Sequence, residues 1–325
     1  LINYLKYIDE RYLGKGNYCL GNKRISSPFA RCFAIFGKYN FSESFFTKEE
    51  CLSLSKLVIY DLEFSISHCN PLERFIDKKE QSQLLCFSIS ALYCLGTLKD
   101  NAKTVQKYIN PFLEEDLYKY LERHGCLKGK PKGGNFAMFI AISYIVAKDW
   151  LGIDTSEKIN EWENLHIGSM NSFGLWGKES QHSYSIHQNG YHQYEILHYL
   201  KNNNYISQAG MTHIRNLVDN NGHCGPYPGG GGCFDYDYVN LVSKSNKFTQ
   251  EDYNNFYKLL KSLISEQNND GGFAESYKFI PLSFKGQIKF INHFLNSKSF
   301  REFKSILRTY IYIMRTSPIY ISNHF

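Results

Sequence analysis

Apolar positions recur along the chain in blocks of helical length, each opened by glycine, serine or proline. "SSPFARCFAIFG" (26–37), "SQLLCFSISALYCLG" (82–96) and "GGNFAMFIAISYIVAKDWLG" (133–152) share this plan, as do "QNGYHQYEILHYLKN" (188–202) and "GGGGCFDYDYVNLV" (229–242). "QNNDGGFAESYKFIPLSF" (267–284) follows it less regularly. Such runs are apolar nearly all round, and a helix of that kind has to be buried. Buried inner helices are therefore expected at 29–37, 84–95, 135–148, 190–200 and 234–243. Between them, "NPFLEEDLYKYLERHG" (110–125) and "TQEDYNNFYKLLKSLISEQ" (249–267) carry charge on one face and apolar residues on the other, and read as outer helices. Period-2 alternation is scarce, with "KLVIYDLEFSIS" (56–67) the only tempting strand.

The blocks start roughly 40 to 55 residues apart, about one helical hairpin per repeat, and six such units fit the length. Inner helices ringed by amphipathic outer ones make an α/α toroid, an (α/α)6-type barrel. The expected fold is all-α, a single domain over 1–325 with repeats over roughly 26–290.

Composition agrees with a folded chain: 325 residues, 43% hydrophobic and 16% aromatic, with 25 Tyr and 24 Phe. The net charge of +6 is spread out, which argues for solubility and against nucleic acid as a partner. Nine cysteines without Cys-x-x-Cys pairs indicate thiols in a reducing compartment, so the expected location is cytoplasmic. A trimmed leader stays open, since the chain starts without Met. No stretch reaches the ~18 consecutive apolar residues of a membrane span. P-loop, dinucleotide-binding, His-Glu-x-x-His and Gly-x-Ser-x-Gly motifs are all missing, and "GGGG" at 229–232 lacks the Lys and Ser/Thr of a phosphate cradle.

"EQNNDGGFAES" (266–276) resembles the Gln-x-x-Asp-Gly-Gly-Phe element of the terpenoid-cyclase and protein-prenyltransferase superfamily. "GPYPGGGGCFDYDYVNLV" is similar to another of its repeats, in which a Gly-rich loop feeds an inner helix. The resemblance implies an α/α toroid whose inner helices begin at the mouth of a cavity. It also implies a carboxylic acid that protonates an isoprenoid alkene or epoxide. Its Asp-x-Asp-Asp element appears here as "DYDY", with Tyr238 in place of the third acid. By position Asp237 is the expected proton donor and Asp235 its neighbour, one of the two held protonated by the other's charge. The prenyltransferases of the superfamily bind zinc through Asp, Cys and His. Cys233 and Asp235 with His223 or His293 are the matching types, with the Asp–Cys order reversed. No cofactor is expected, with zinc or magnesium as the alternative.

A second cluster lies in "SQHSYSIHQNGYHQYEILHYL" (180–200). A helix there makes His192 and Glu195 i,i+3 neighbours, and a carboxylate beside an imidazole suits acid–base work. Tyr194 is a further catalytic candidate, and Asn189, Tyr191 and His187 are substrate-binding candidates. His223, Arg31 and Trp176, a stacking wall among glycines, complete that set. The same residue types support a rival, a lyase or hydrolase acting on an acidic polysaccharide or oligosaccharide, with Asn189 on the uronate and His192 or Tyr194 removing a proton. A non-catalytic toroid binding a partner at its rim is the third possibility. The partner is in either enzymatic case a small-molecule or oligosaccharide substrate, and the oligomeric state is left open.

Overall fold

The computed structural model describes residues 2–20, 24–42, 45–69, 73–178, 183–201, 203–219, 221–224 and 233–267, with a few single positions between 291 and 307. The described protein is all-α apart from one short hairpin. It divides into two compact units: Leu1–Cys126 with Asn135–Leu165, and Leu127–Gly134 with His166–Phe325.

The first unit opens with α1 (Ile2–Glu10) and an antiparallel hairpin of β1 (Tyr12–Gly14) and β2 (Asn17–Tyr18). Then comes α2 (Pro28–Tyr39), started by a proline whose missing N–H costs nothing in the first turn. The tempting strand at 56–67 is instead the second half of α3 (Lys48–Ser67). A capping box explains the difference: Glu50 N donates to Thr47 Oγ1 (3.2 Å) and Thr47 N donates to Glu50 Oε2 (2.8 Å), satisfying two open N–H groups at the helix start.

α4 (Lys79–Cys94) packs against both α2 and α3, with Leu85, Ala91 and Leu92 sealed in the core. The single outer helix expected at 110–125 is two, α5 (Ala102–Leu113) and α6 (Leu117–His124). Asp116 starts the second by accepting from Lys119 N at 2.9 Å, and Gly125 ends it with a left-handed turn (φ 63°). α7 (Gly133–Leu151) and α8 (Ser156–Gly168) follow.

Arg31 ties three elements of this unit together. Its side chain donates to Gly16 O (2.8 Å), Leu57 O (3.2 Å) and Asn17 Oδ1 (2.6 Å), and it pairs with Asp61. Only 2% of the residue is exposed, so every donor has to be met inside the protein. This candidate ligand-binding arginine is thus engaged in joining the hairpin, α2 and α3.

The second unit holds α9 (Ser183–Lys201), α10 (Gln208–Arg215), α11 (Cys233–Ser243) and α12 (Gln250–Glu266). α12 lies on α11 through the Tyr238–Phe256 ring contact and on α10 through Arg215, whose Nε and Nη2 donate to Asp252 at 2.8 and 2.6 Å. All five spans expected as buried helices are helical and largely buried. The glycine run at 225–232 and the Gln-x-x-Asp-Gly-Gly-Phe element lie outside the described residues.

Arg31→Met leaves Asp61 and three carbonyl-type acceptors without their donor. The expected loss is about 3–5 kcal/mol in urea unfolding. An Arg31→Met, Asp61→Leu double variant, which removes the orphaned charge, recovers part of it.

Candidate active site

α9 and α11 run parallel, as their contacts show in order. Gln188 Nε2 lies 3.8 Å from Cys233 Sγ, the Tyr191 and Tyr236 rings meet edge to face at 5.7 Å, and Asn204, just past α9, donates to Leu241 O at 3.3 Å. Between the ring contact and that last tie, the charge of Glu195 on α9 reaches Asp237 on α11. The reason is local: residues 188, 191 and 195 share one face of α9, and Cys233 and Asp237, one turn apart, share one face of α11.

Asp237 is 2% exposed, and its Oδ2 has no hydrogen-bond partner among the described residues. Burial pushes its carboxyl well above the ordinary carboxylate range, with the charges of Glu195 and Asp235 adding to the effect. Glu195 is pushed up as well, again by burial first, and partly offset by the Tyr191 hydroxyl and by Lys244. Tyr191 is in turn driven strongly upward by burial and by Glu195. Burial thus shifts all three groups toward their neutral forms, most strongly at Asp237 and Tyr191 and less at the half-buried Glu195.

Asp235 does different work. Side chains two apart on a helix point about 200° away from each other, so Asp235 faces the loop before α11. Its Oδ2 lies 2.8 Å from His223 Nδ1, and its Oδ1 accepts from Cys224 N at 2.6 Å. Asp219 turns the same loop by accepting from Asn221 N (2.8 Å) and His223 N (3.0 Å). Asp235 and His223 are therefore brought together, both buried, while Cys233 meets Gln188. Among the described residues no three His, Cys, Asp or Glu side chains stand close enough to hold a metal ion. His293, the other zinc candidate, lies outside the described residues.

The polar cluster of α9 separates into two groups. Glu195 bonds Tyr191, and the half-buried His192 ring lies against Tyr191 at 5.1 Å. Asn189, Tyr194 and Trp176 instead hold backbone. Asn189 Nδ2 donates to Gly129 O (3.2 Å) and Lys130 O (3.0 Å), and its Oδ1 accepts from Gly134 N (3.2 Å). The α7 backbone approaches so closely here that a methyl group on Gly134 would overlap the Asn189 backbone. Tyr194 donates to Gly174 O (2.8 Å), and Trp176 Nε1 to His166 O (2.9 Å). His187 is fully enclosed and pushed down to about 4 by burial, with the Phe234 backbone acting against the shift.

The pairing of Glu195 with Asp237 escapes sequence reading because it joins residues on two helices. Its trace in the sequence is an aromatic residue near each, Tyr191 one turn before Glu195 and Tyr236 directly before Asp237, and those two rings also meet.

No protein-family model matches the chain, and no curated protein or solved structure matches it either.

Raised carboxyls make stability depend on pH with a definite sign. The folded state keeps protons on Asp237 and Glu195 that the unfolded chain releases above the ordinary carboxylate range, so stability falls as pH rises from about 4, by up to about 1.4 kcal/mol per pH unit per proton. Asp237→Asn removes one of these protons. Urea unfolding of wild type and variant from pH 4 to 8 is expected to show the variant gaining on the wild type as pH rises.

Proposed function

We propose that this chain is a terpenoid-cyclase-like enzyme in which Asp237 protonates an isoprenoid alkene or epoxide. One observation carries the reading: a carboxyl on an early turn of α11, buried, with an unsatisfied oxygen and a strong preference for its neutral form. A protonated acid in a water-poor site is what protonation of a weakly basic π bond requires. Such a group is otherwise costly to keep buried.

The chemistry follows from the residues present. The Asp237 O–H bond breaks toward the substrate and its electron pair remains on the carboxylate. The alkene π pair forms the new C–H bond and leaves a carbocation. Glu195 and Asp235 destabilise the carboxylate left behind, which keeps Asp237 protonated before the step and reclaims the proton afterwards. Tyr191 and Tyr236, whose rings meet edge to face, are aromatic groups able to stabilise developing positive charge.

The wider architecture belongs to the same proposal. On this reading the parallel helices α9 and α11 are two inner helices of an α/α toroid, with α10 between them in the chain and α12 after. The polysaccharide reading has less support, because Asn189 and Tyr194 already bind backbone carbonyls.

The wild type is to be screened against prenyl diphosphates, squalene-like alkenes and epoxides, and uronic-acid oligosaccharides. An isoprenoid is expected to turn over, to take up deuterium at the protonated carbon in D2O, and to slow by about 10² to 10⁴ in Asp237→Asn. Turnover of an acidic oligosaccharide that survives Asp237→Asn would end this reading.

A further inference from the structure

A cavity of about 670 Å³ lies within the first unit, where the C-terminal ends of α3 and α5 meet the short turn at 75–77. Ile66, Phe75, Ile76 and Pro111 form its apolar wall, and its volume is that of a site for a small molecule. The charged groups that line it are Glu73, Arg74, Glu114 and Glu115.

Cations and acids around the cavity pair off with one acid left over. Arg74 donates to Asp77 and Glu115, and Arg123 donates to the same two carboxylates. Lys78 pairs with Glu73. Burial pushes His124, the fourth basic neighbour, down from its usual value, so at neutral pH it bonds Asp77 without bringing a full charge. Glu114 remains, exposed and without a cation beside it among the described residues.

Its position makes that charge costly. Glu114 is the C-cap of α5, where open carbonyls already carry partial negative charge, and the end of α3 brings a second set to the same cavity. A lysine there would stabilise the helix, whereas a glutamate opposes it. A local conflict of this kind is retained where a function gains from it. An anion finds no free donor in the cavity, since its one guanidinium is shared between Asp77 and Glu115. A bare metal ion would need three converging ligands, which the described residues do not supply.

We infer that the cavity binds a small organic cation, an ammonium group on an apolar stem. The ammonium pairs with Glu114 and the carbonyl ends of α3 and α5, and the stem covers Ile66, Phe75 and Pro111. The site belongs to the first unit and is independent of the reading of Asp237.

Calorimetric titration of the full chain with hexylammonium, hexanol and hexanoate tests the site. Hexylammonium is expected to bind about tenfold more tightly than hexanol, with hexanoate weakest, and added salt is expected to erode that preference. Glu114→Gln keeps the shape and removes the charge. It is expected to weaken hexylammonium by about fivefold, to leave hexanol unchanged, and to raise the urea midpoint of the unliganded protein, which loss of a glutamate that merely holds the fold together would lower. No heat of binding for hexylammonium, hexanoate binding as tightly as hexylammonium, or an affinity unchanged in Glu114→Gln overturns the inference. A lowered urea midpoint in that variant overturns it too, because the carboxylate would then have a partner in the protein.

Discussion

Glu195 on α9 and Asp237 on α11 lie on the facing sides of two parallel helices, Asp237 buried and Glu195 half-buried, and burial presses both acids to keep their protons. The two helices bury apolar and aromatic residues of their own, Tyr191, Ile196 and Leu197 on α9 and Phe234, Leu241 and Val242 on α11. Wetting Asp237 would let it ionise. Keeping it dry holds it neutral at a cost that the apolar packing has to offset. The candidate chemistry of this protein depends on that one desolvated carboxyl.

The remaining polar side chains of the second unit hold the backbone around the two helices. Asn189 grips the 129–134 backbone, Tyr194 and Trp176 hold Gly174 O and His166 O, and Asp235 ties α11 to His223 and Cys224. Each satisfies buried backbone or loop groups that helix ends and turns leave open. A cluster rich in His, Asn and Tyr thus divides into structural ties and a smaller set facing α11. Composition cannot separate the two, since both tasks call for the same donors and acceptors.

The first unit solves a similar problem with charge. Arg31 gathers the hairpin and α3 onto α2, and Asp77 accepts from Arg74 (3.0 Å), Arg123 (3.0 Å) and His124 (2.9 Å), while Glu115 takes further bonds from both arginines. His124 also stacks on Phe136 with ring centroids 3.8 Å apart. Burial pushes His124 down from its usual value, whereas the cluster of donors holds Asp77 below the usual carboxylate range against its own burial. The opposite sign at Asp237 comes from what surrounds it: burial with acids as neighbours in place of cations.

Helix content was legible in the chain alone. Apolar runs of helix length behind Gly, Ser or Pro placed α2, α4, α7, α9 and α11, because a periodic pattern and a start signal are local properties. Local signals that were overlooked account for the misread parts: the Thr47–Glu50 capping box makes α3 from an alternating stretch, and the Asp116 cap divides 110–125 in two. Asp237 stood out in the sequence by its place just after the glycine run, and the fold buries it. What opposes it was not legible. Helical geometry turns Asp235 away toward His223, and only the parallel docking of α9 on α11 brings Glu195 to Asp237. Sequence order states which residues lie on one face of a helix, but the partner of that face is chosen by packing between helices, where burial, and with it the charge state of the acids, is decided.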